Sequence, residues 1–161
     1  MSQDTATPTT DDQVLNAIQD VMKGKPVYEV AGWTTDQINA LYANAYHLYS
    51  TGAYEEAMKI FRPLLVMDSS DNRIWMGFAA CAQMLRQYEE ALKGYGYASL
   101  LDPENPKPFF HAMECHIALK NYSEAKTAGE YVVGVAEGKP GHEKMLARTK
   151  LLLKAVEARL S

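Results

Sequence analysis

The sequence predicts an all-α chain in which three tandem helix-turn-helix repeats stack into a solenoid. Three observations predict it. The string YEEA at 54–57 returns at 88–91, and as YSEA at 122–125, so tyrosine, glutamate and alanine recur at one fixed period of 34. Apolar residues inside the units keep a helical period: Trp75, Phe78, Ala79 and Ala82 stand at i, i+3, i+4 and i+7, on one helix face. Proline falls between such faces, as at Asp102-Pro103, where the missing N–H and the restricted residue before it stop a helix.

A period of that size is that of the tetratricopeptide (TPR) repeat, a pair of antiparallel helices A and B. Units start near Ile38, Asn72 and Pro106, and the three repeats occupy residues 33–138. In the second unit Arg86-Gln87 form the turn, and helix B follows with Ala91, Leu92, Tyr95 and Ala98. Small Ala91 lets the two helices approach, with Trp75 and Tyr95 filling the space around it. Unit one supplies Leu41, Ala45, Leu48, Gly52, Tyr54, Ala57 and Phe61, and unit three Phe109, Ala112, Tyr122, Ala125 and Val132. Departures from the pattern carry their own expectations. Pro63 inside helix B of the first unit predicts a kink or an early end. Gly94 and Gly96 each cost about 1 kcal/mol of helix propensity relative to alanine, which predicts close backbone packing there. Gly129 stands at the large-aromatic position of unit three and Glu137 replaces its terminal proline, so this repeat is expected to lean on the segment C-terminal to it.

The flanks carry signals of their own. Residues 1–12 form a polar tail, expected to be disordered. Residues 13–32 hold a short amphipathic helix and a linker: Asp12 is its expected cap, Val14, Leu15, Ile18, Val21 and Met22 share one face, and Gly24-Lys25-Pro26 end it. Such a helix is marginal alone and must bury its face, either on its own repeats or in a homodimer contact. Thr34 and Gln37 form a capping box, with Trp33 and Ile38 as the hydrophobic staple around it. Residues 139–161 predict a C-terminal capping helix that buries Met145, Leu152, Val156 and Leu160 and gives the array a polar outer face.

Composition excludes several classes of function. With 161 residues, a hydrophobic content of 47% and a net charge of -4, the chain reads as one soluble domain. No basic patch suited to nucleic acid is present. Lys144, Arg148, Lys150, Lys154 and Arg159 are interspersed with Glu143 and Glu157, as on a solvated helix face. No apolar run suits a signal peptide or a membrane span, and Cys81 and Cys115, one repeat apart, read as equivalent packing positions. A cytoplasmic location is expected. No metal or cofactor site is expected either: His111 and His116 stand about 140° apart around a helix and cannot grip one ion from one face. The Gly94–Tyr97 stretch lacks the spacing of a dinucleotide loop. The glutamate pairs at 55–56 and 89–90 fall in first turns of helices, where acids suit the dipole. No catalytic constellation results.

What remains is a surface. The inner wall of a TPR groove is built from the exposed sides of its A helices. Beside the core stripe Leu41, Ala45 and Leu48 runs a second stripe, Tyr42, Tyr46 and Tyr49, about 100° round the helix. These tyrosines offer apolar area with polar tips, as peptide-binding surfaces do. Corresponding positions downstream are Met76, Ala80 and Gln83, then Phe110, Glu114 and Ile117.

The stretches ALYANAYHLYSTGAYEEAMKIF, WMGFAACAQMLRQYEEAL with YGYASLLD, and PFFHAMECHIALKNYSEA resemble the class II chaperones of bacterial type III secretion, from about Trp33 to Leu160. The resemblance implies three TPRs, no enzymatic activity and no cofactor. It implies hydrophobic translocator proteins as partners, each bound through an extended N-terminal segment by a Pro-x-Leu-x-x-Pro-like motif in the concave groove. On that reading Tyr42, Tyr46 and Tyr49 match the family's aromatic groove residues, Met76, Phe110 and Ile117 are further walls of the anchor pockets, and His47 and Gln83 lie nearby. It also implies self-association through the helix from Val14 to Met22. Two other readings stand beside it: an adaptor that clamps a carboxylate, for which Lys107 alone fits, and a co-regulator of a transcriptional activator.

Overall fold

The computed structural model describes residues 9–161, so the expected disorder of the tail falls, for residues 1–8, outside the described residues. Among the described residues the regular structure is entirely helical. The order is α1 (Thr10–Met22), α2 (Val27–Val30), α3 (Thr35–Ser50), α4 (Tyr54–Met67), α5 (Asn72–Met84), α6 (Tyr88–Leu101), α7 (Pro106–Ala118), α8 (Tyr122–Ala136) and α9 (Glu143–Leu160). The pairs α3/α4, α5/α6 and α7/α8 are the three predicted hairpins.

Helix α1 starts earlier than its expected cap. Thr9, not Asp12, is the N-cap; its hydroxyl accepts from the Asp12 N–H, and the Asp12 carboxylate accepts from the Thr9 N–H at 3.1 Å. Residues 10–12 thus belong to the helix. The linker also holds α2, whose Tyr28 is buried in the main core. The second capping box stands as the sequence predicts: Thr34 N–H donates to Gln37 Oε1 at 2.8 Å, and Gln37 N–H to Thr34 Oγ1 at 3.3 Å.

The A-to-B turns repeat with the sequence. Gly52, Arg86 and Lys120 are the left-handed residues, at φ of 85°, 60° and 61°. Each is followed by a residue whose N–H reaches five back, Ala53 to Leu48, Gln87 to Ala82 and Asn121 to His116, at 2.8–2.9 Å. This closes the last carbonyls of each A helix by the Schellman pattern. Arginine and lysine hold there a conformation that glycine adopts freely.

Packing inside the hairpins rests on Ala57, Ala91 and Ala125, all fully buried. Phe61 and Tyr95 fill the adjoining large positions, both essentially inaccessible. At the third such position Gly129 makes room for its neighbours, since a Cβ there would stand 2.8 Å from Leu153 Cδ2 and 2.9 Å from Met113 Sδ. Leucine from α9 thus replaces the absent aromatic, and the third repeat does lean on the C-terminal helix. Gly94 is likewise a close approach, with a Cβ only 2.8 Å from that of Ala79, whereas Gly96 faces open space and packs against nothing.

Three other expectations are corrected. Trp75 does not fill the space beside Ala91; its indole N–H donates to the Ser69 carbonyl at 2.8 Å and its ring stacks on Tyr97 at 4.4 Å. Ile74 and Cys81 take the fully buried places in α5. Pro63 does not end α4, which continues to Met67; the one backbone bond it forfeits would have gone to the carbonyl of exposed Lys59, on the solvent side. In α9, Val156 and Thr149 are buried but Leu160 is half exposed, because it lies beyond the last helix that could cover it.

The exchange of an aromatic for Leu153 is open to test. Gly129→Phe restores the repeat's usual residue but overpacks the α8–α9 contact, with an expected cost of about 1–3 kcal/mol in chemical denaturation. Combined with Leu153→Ala, the loss is expected to fall below the sum of the two single losses, since one side chain then occupies the space of the other.

Candidate functional site

Helix α3 packs directly on α5, and α7 on α9, while no comparable packing joins α4 to α6 or α6 to α8. With the Gln83–Glu114 bond joining α5 to α7, these contacts connect the A helices in series as one wall of the array, as the TPR spacing predicts. Helix α9 continues that wall. Tyr46, Ala80, Glu114 and Arg148 follow one another at the repeat period, so α9 acts as a fourth A helix.

On α3 the three tyrosines form a ladder. Tyr42 and Tyr46 are stacked with centroids 6.3 Å apart, and Tyr46 and Tyr49 are 6.3 Å apart and tilted. Tyr42 and Tyr49 are half-buried against the main core, while Tyr46 is 54% exposed. Burial raises the phenol pKa of both Tyr42 and Tyr49, so they present neutral hydroxyls. The Arg73 guanidinium lies 4.8 Å over the Tyr42 ring and donates to Asn39 Oδ1 at 3.1 Å, tying α5 to α3. Met76 and Ala80 are half-buried on α5, Met76 against the core. His47 is exposed on the opposite edge of the stripe.

The far half of the wall has a different chemistry. Tyr95 OH donates to Gln83 Oε1 at 2.6 Å, and Gln83 Nε2 donates to Glu114 Oε2 at 3.2 Å. The same carboxylate meets His111 Nδ1 at 3.1 Å and accepts from Arg148 Nη2 at 2.7 Å. Four helices are thereby joined through one carboxylate. Burial pushes Glu114 up, but the hydrogen bonds from His111 and Gln83 and the charges of His111 and Arg148 outweigh it and hold its pKa below the usual value.

The structure thus brings together all nine expected wall residues, though not all as an open surface. Phe110 is not an open pocket wall: it is only 7% exposed, with the Arg148 guanidinium 5.6 Å over its ring. Ile117 is half-buried beside the smaller core of Met113, Ala125 and Val156. His111, Arg73 and Arg148 are wall residues that the stripe argument missed. Extending the repeat period from Glu114 into α9 finds Arg148, and the i, i+3 spacing of His111 and Glu114 on one helix finds their contact. Elsewhere, His116 points away from this network and lines a cavity on the outer side. Cys81 and Cys115 are fully buried, and burial pushes their thiols up to about 11 and about 12. Among the described residues no helix is long and apolar enough to cross a membrane.

Neither N-terminal helix fills the wall: α1 packs on α2, and α2 on the B helix α4. No residue of α1 is buried, and Val14, Leu15, Ile18, Val21 and Met22 remain 40–82% exposed. Packing of α1 on its own repeats is therefore not what the structure adopts.

Residues 38–71 and 74–105 match the tetratricopeptide repeat family. Low calcium response locus protein H of Yersinia pseudotuberculosis is 30% identical over 151 residues, covering 92% of this chain and 90% of that protein. The chain belongs to the type III secretion translocator chaperones. The fold agrees: PcrH of Pseudomonas aeruginosa, solved with the chaperone-binding region of PopD, superposes with a TM-score of 0.78 at 37% identity, over 81% of this chain and 98% of that one. The Yersinia enterocolitica chaperone SycD, solved with a peptide of the translocator YopD, gives 0.77 at 30% identity, over 80% and 98%. The wall of A helices in this chaperone is thus part of a shared architecture.

The carboxylate at the centre of the wall has a pH signature. Because its folded-state pKa lies below the usual 4.5, Glu114 contributes stability that is full above that value and is lost as pH falls through the lower one. Glu114→Gln is expected to lower the denaturation midpoint at neutral pH, and the gap to the unaltered chain is expected to close as the solution is acidified below the carboxylate range.

Proposed function

We propose that this chaperone holds an extended N-terminal segment of a hydrophobic translocator on the wall formed by α3, α5 and α7. It acts in the cytoplasm and without covalent chemistry. The observation that carries the reading is the tyrosine ladder of α3: large apolar area with polar tips, left uncovered by both terminal helices. An extended segment docks its apolar side chains between Tyr42, Tyr46 and Tyr49 and beside Met76. Its backbone finds polar partners along Gln83 and Glu114. Translocators carry segments destined for a membrane, and such segments aggregate in water; holding one extended keeps it fit for export. Release requires only competition for the wall. The complexes of PcrH with PopD and of SycD with YopD support the choice of client class.

The apolar face of α1 supports a homodimer. Five exposed apolar residues on a 13-residue helix leave an amphipathic element that is marginal without a partner surface. A second copy of the chain supplies that surface.

Two measurements test these assignments. Replacing Tyr42 and Tyr46 together with alanine is expected to weaken binding of a translocator N-terminal peptide by about 2 kcal/mol or more in a calorimetric titration, with helical circular dichroism unchanged. Unaltered affinity would remove the wall from the function. Leu15→Glu with Ile18→Glu is expected to convert the dimer to a monomer in sedimentation analysis while leaving peptide affinity in place.

A further inference from the structure

A cavity of about 410 Å³ opens on the outer side of the array, away from the tyrosine wall, where α6 and α8 stand apart over α7. Leu92, Gly96, Ser99, Ala112, His116 and Glu124 line it, and Phe109 and Tyr131, mutually tilted with ring centroids 4.0 Å apart, extend the lining. Its origin is legible in the repeat. One period earlier in the chain lies the preceding step, between α4 and α6, where the same places hold Met58, Arg62, Leu65, Phe78, Ala82 and Glu90.

That preceding step is full. Arg62 lies across it with its guanidinium 5.8 Å over the Phe78 ring, and Nη2 donates to Glu90 Oε1 at 2.8 Å and approaches Met58 Sδ at 3.5 Å. One repeat later three large side chains have become small: arginine is Gly96, leucine is Ser99 and phenylalanine is Ala112. The acid has stayed. Glu124 occupies the place of Glu90, and among the described residues it makes no hydrogen bond or ion pair. Glu124 is exposed to solvent, whereas a second polar side chain of the cavity is not. His116 Nδ1 is shut off from solvent with no hydrogen-bond partner, and burial lowers the imidazole pKa, so the ring is held neutral in the cavity lining. Nothing in the chain lies within 4 Å of a Cβ built on Gly96.

We propose that this cavity receives an arginine and an adjoining apolar side chain from a partner protein. The partner's guanidinium takes the place that Arg62 fills in the preceding repeat and pairs with Glu124, while its apolar neighbour takes the volume that Phe78 fills. Arginine suits the place because its planar, multiply donating head pairs a carboxylate through two hydrogen bonds while its stem lies along apolar surface. The site stands on the opposite side from the tyrosine wall, and the client segment there does not occupy it.

The test uses the full chain and two capped dipeptides, N-acetyl-Phe-Arg-amide and its citrulline counterpart, which keeps the shape and removes the charge. Titrated into the millimolar range and followed by amide NMR shifts, the arginine probe is expected to give saturable shifts centred on Gly96, Ala112 and Ala128. The citrulline probe is expected to bind about tenfold or more weakly, as is the arginine probe to Glu124→Gln, through loss of a charge-assisted hydrogen bond. Gly96→Arg rebuilds the preceding step within the chain; it is expected to abolish probe binding and to raise the melting temperature, and a further Glu124→Gln to remove that gain. Shifts absent from these amides, equal affinity for the citrulline probe, or indifference to Glu124→Gln would each overturn the assignment.

Discussion

Everything in this molecule depends on how closely two helices of one hairpin approach. Ala57, Ala91 and Ala125 set that distance, and all three are sealed from solvent. A larger residue at any of them would push the B helix off its A helix and break the register that carries the next hairpin. With the distance set, one large side chain per hairpin fills the remaining space: Phe61, then Tyr95. Burying such a side chain is worth about 1.5–3 kcal/mol, so each filled position is a sizeable part of the stability of a repeat. The third hairpin meets the same requirement from outside itself, with Leu153 of α9 seated on Gly129. The C-terminal helix is thus a component of the core as well as a cap.

The wall of A helices is chemically divided. Its first third is aromatic and most open at Tyr46, with Tyr42 and Tyr49 half-buried on either side and Arg73 lying over the Tyr42 ring. Its last third is organised around the Glu114 carboxylate, which joins α5, α7 and α9 directly and α6 through Tyr95. A buried polar network is stiff when all its members are satisfied. Arg148 has two tasks there, since it closes the ion pair with Glu114 and covers Phe110.

Variation between the repeats is where the individual character of this chaperone lies. The three units agree at the alanines and at the left-handed turn residues, and α5 and α7 share a buried cysteine. They disagree where surfaces are made. Between α4 and α6 the outer step is filled by Arg62 and Phe78, and between α6 and α8 it is vacated by Gly96 and Ala112. On the inner side the tyrosine positions of α3 become methionine, alanine and glutamine on α5. Repetition supplies the frame, and each break in it leaves an opening or a new contact.

By itself the sequence determined the helical class, the repeat architecture and the start of α3 at its capping box. Those features depend on period and on local chemistry: a constant repeat length, a capping box at Thr34 and Gln37, small residues at fixed places. Only the tertiary structure decided that Phe110 is covered, that Trp75 turns outward to Tyr97, that Gly129 is filled by α9, and that α1 lies unburied. The reason is the same in each case. A helical period says which face a residue occupies, but not which side chain from another hairpin reaches it first. Contacts such as Arg148 to Glu114 join one repeat to the next and depend on how successive hairpins stack, a rotation that no single helix encodes.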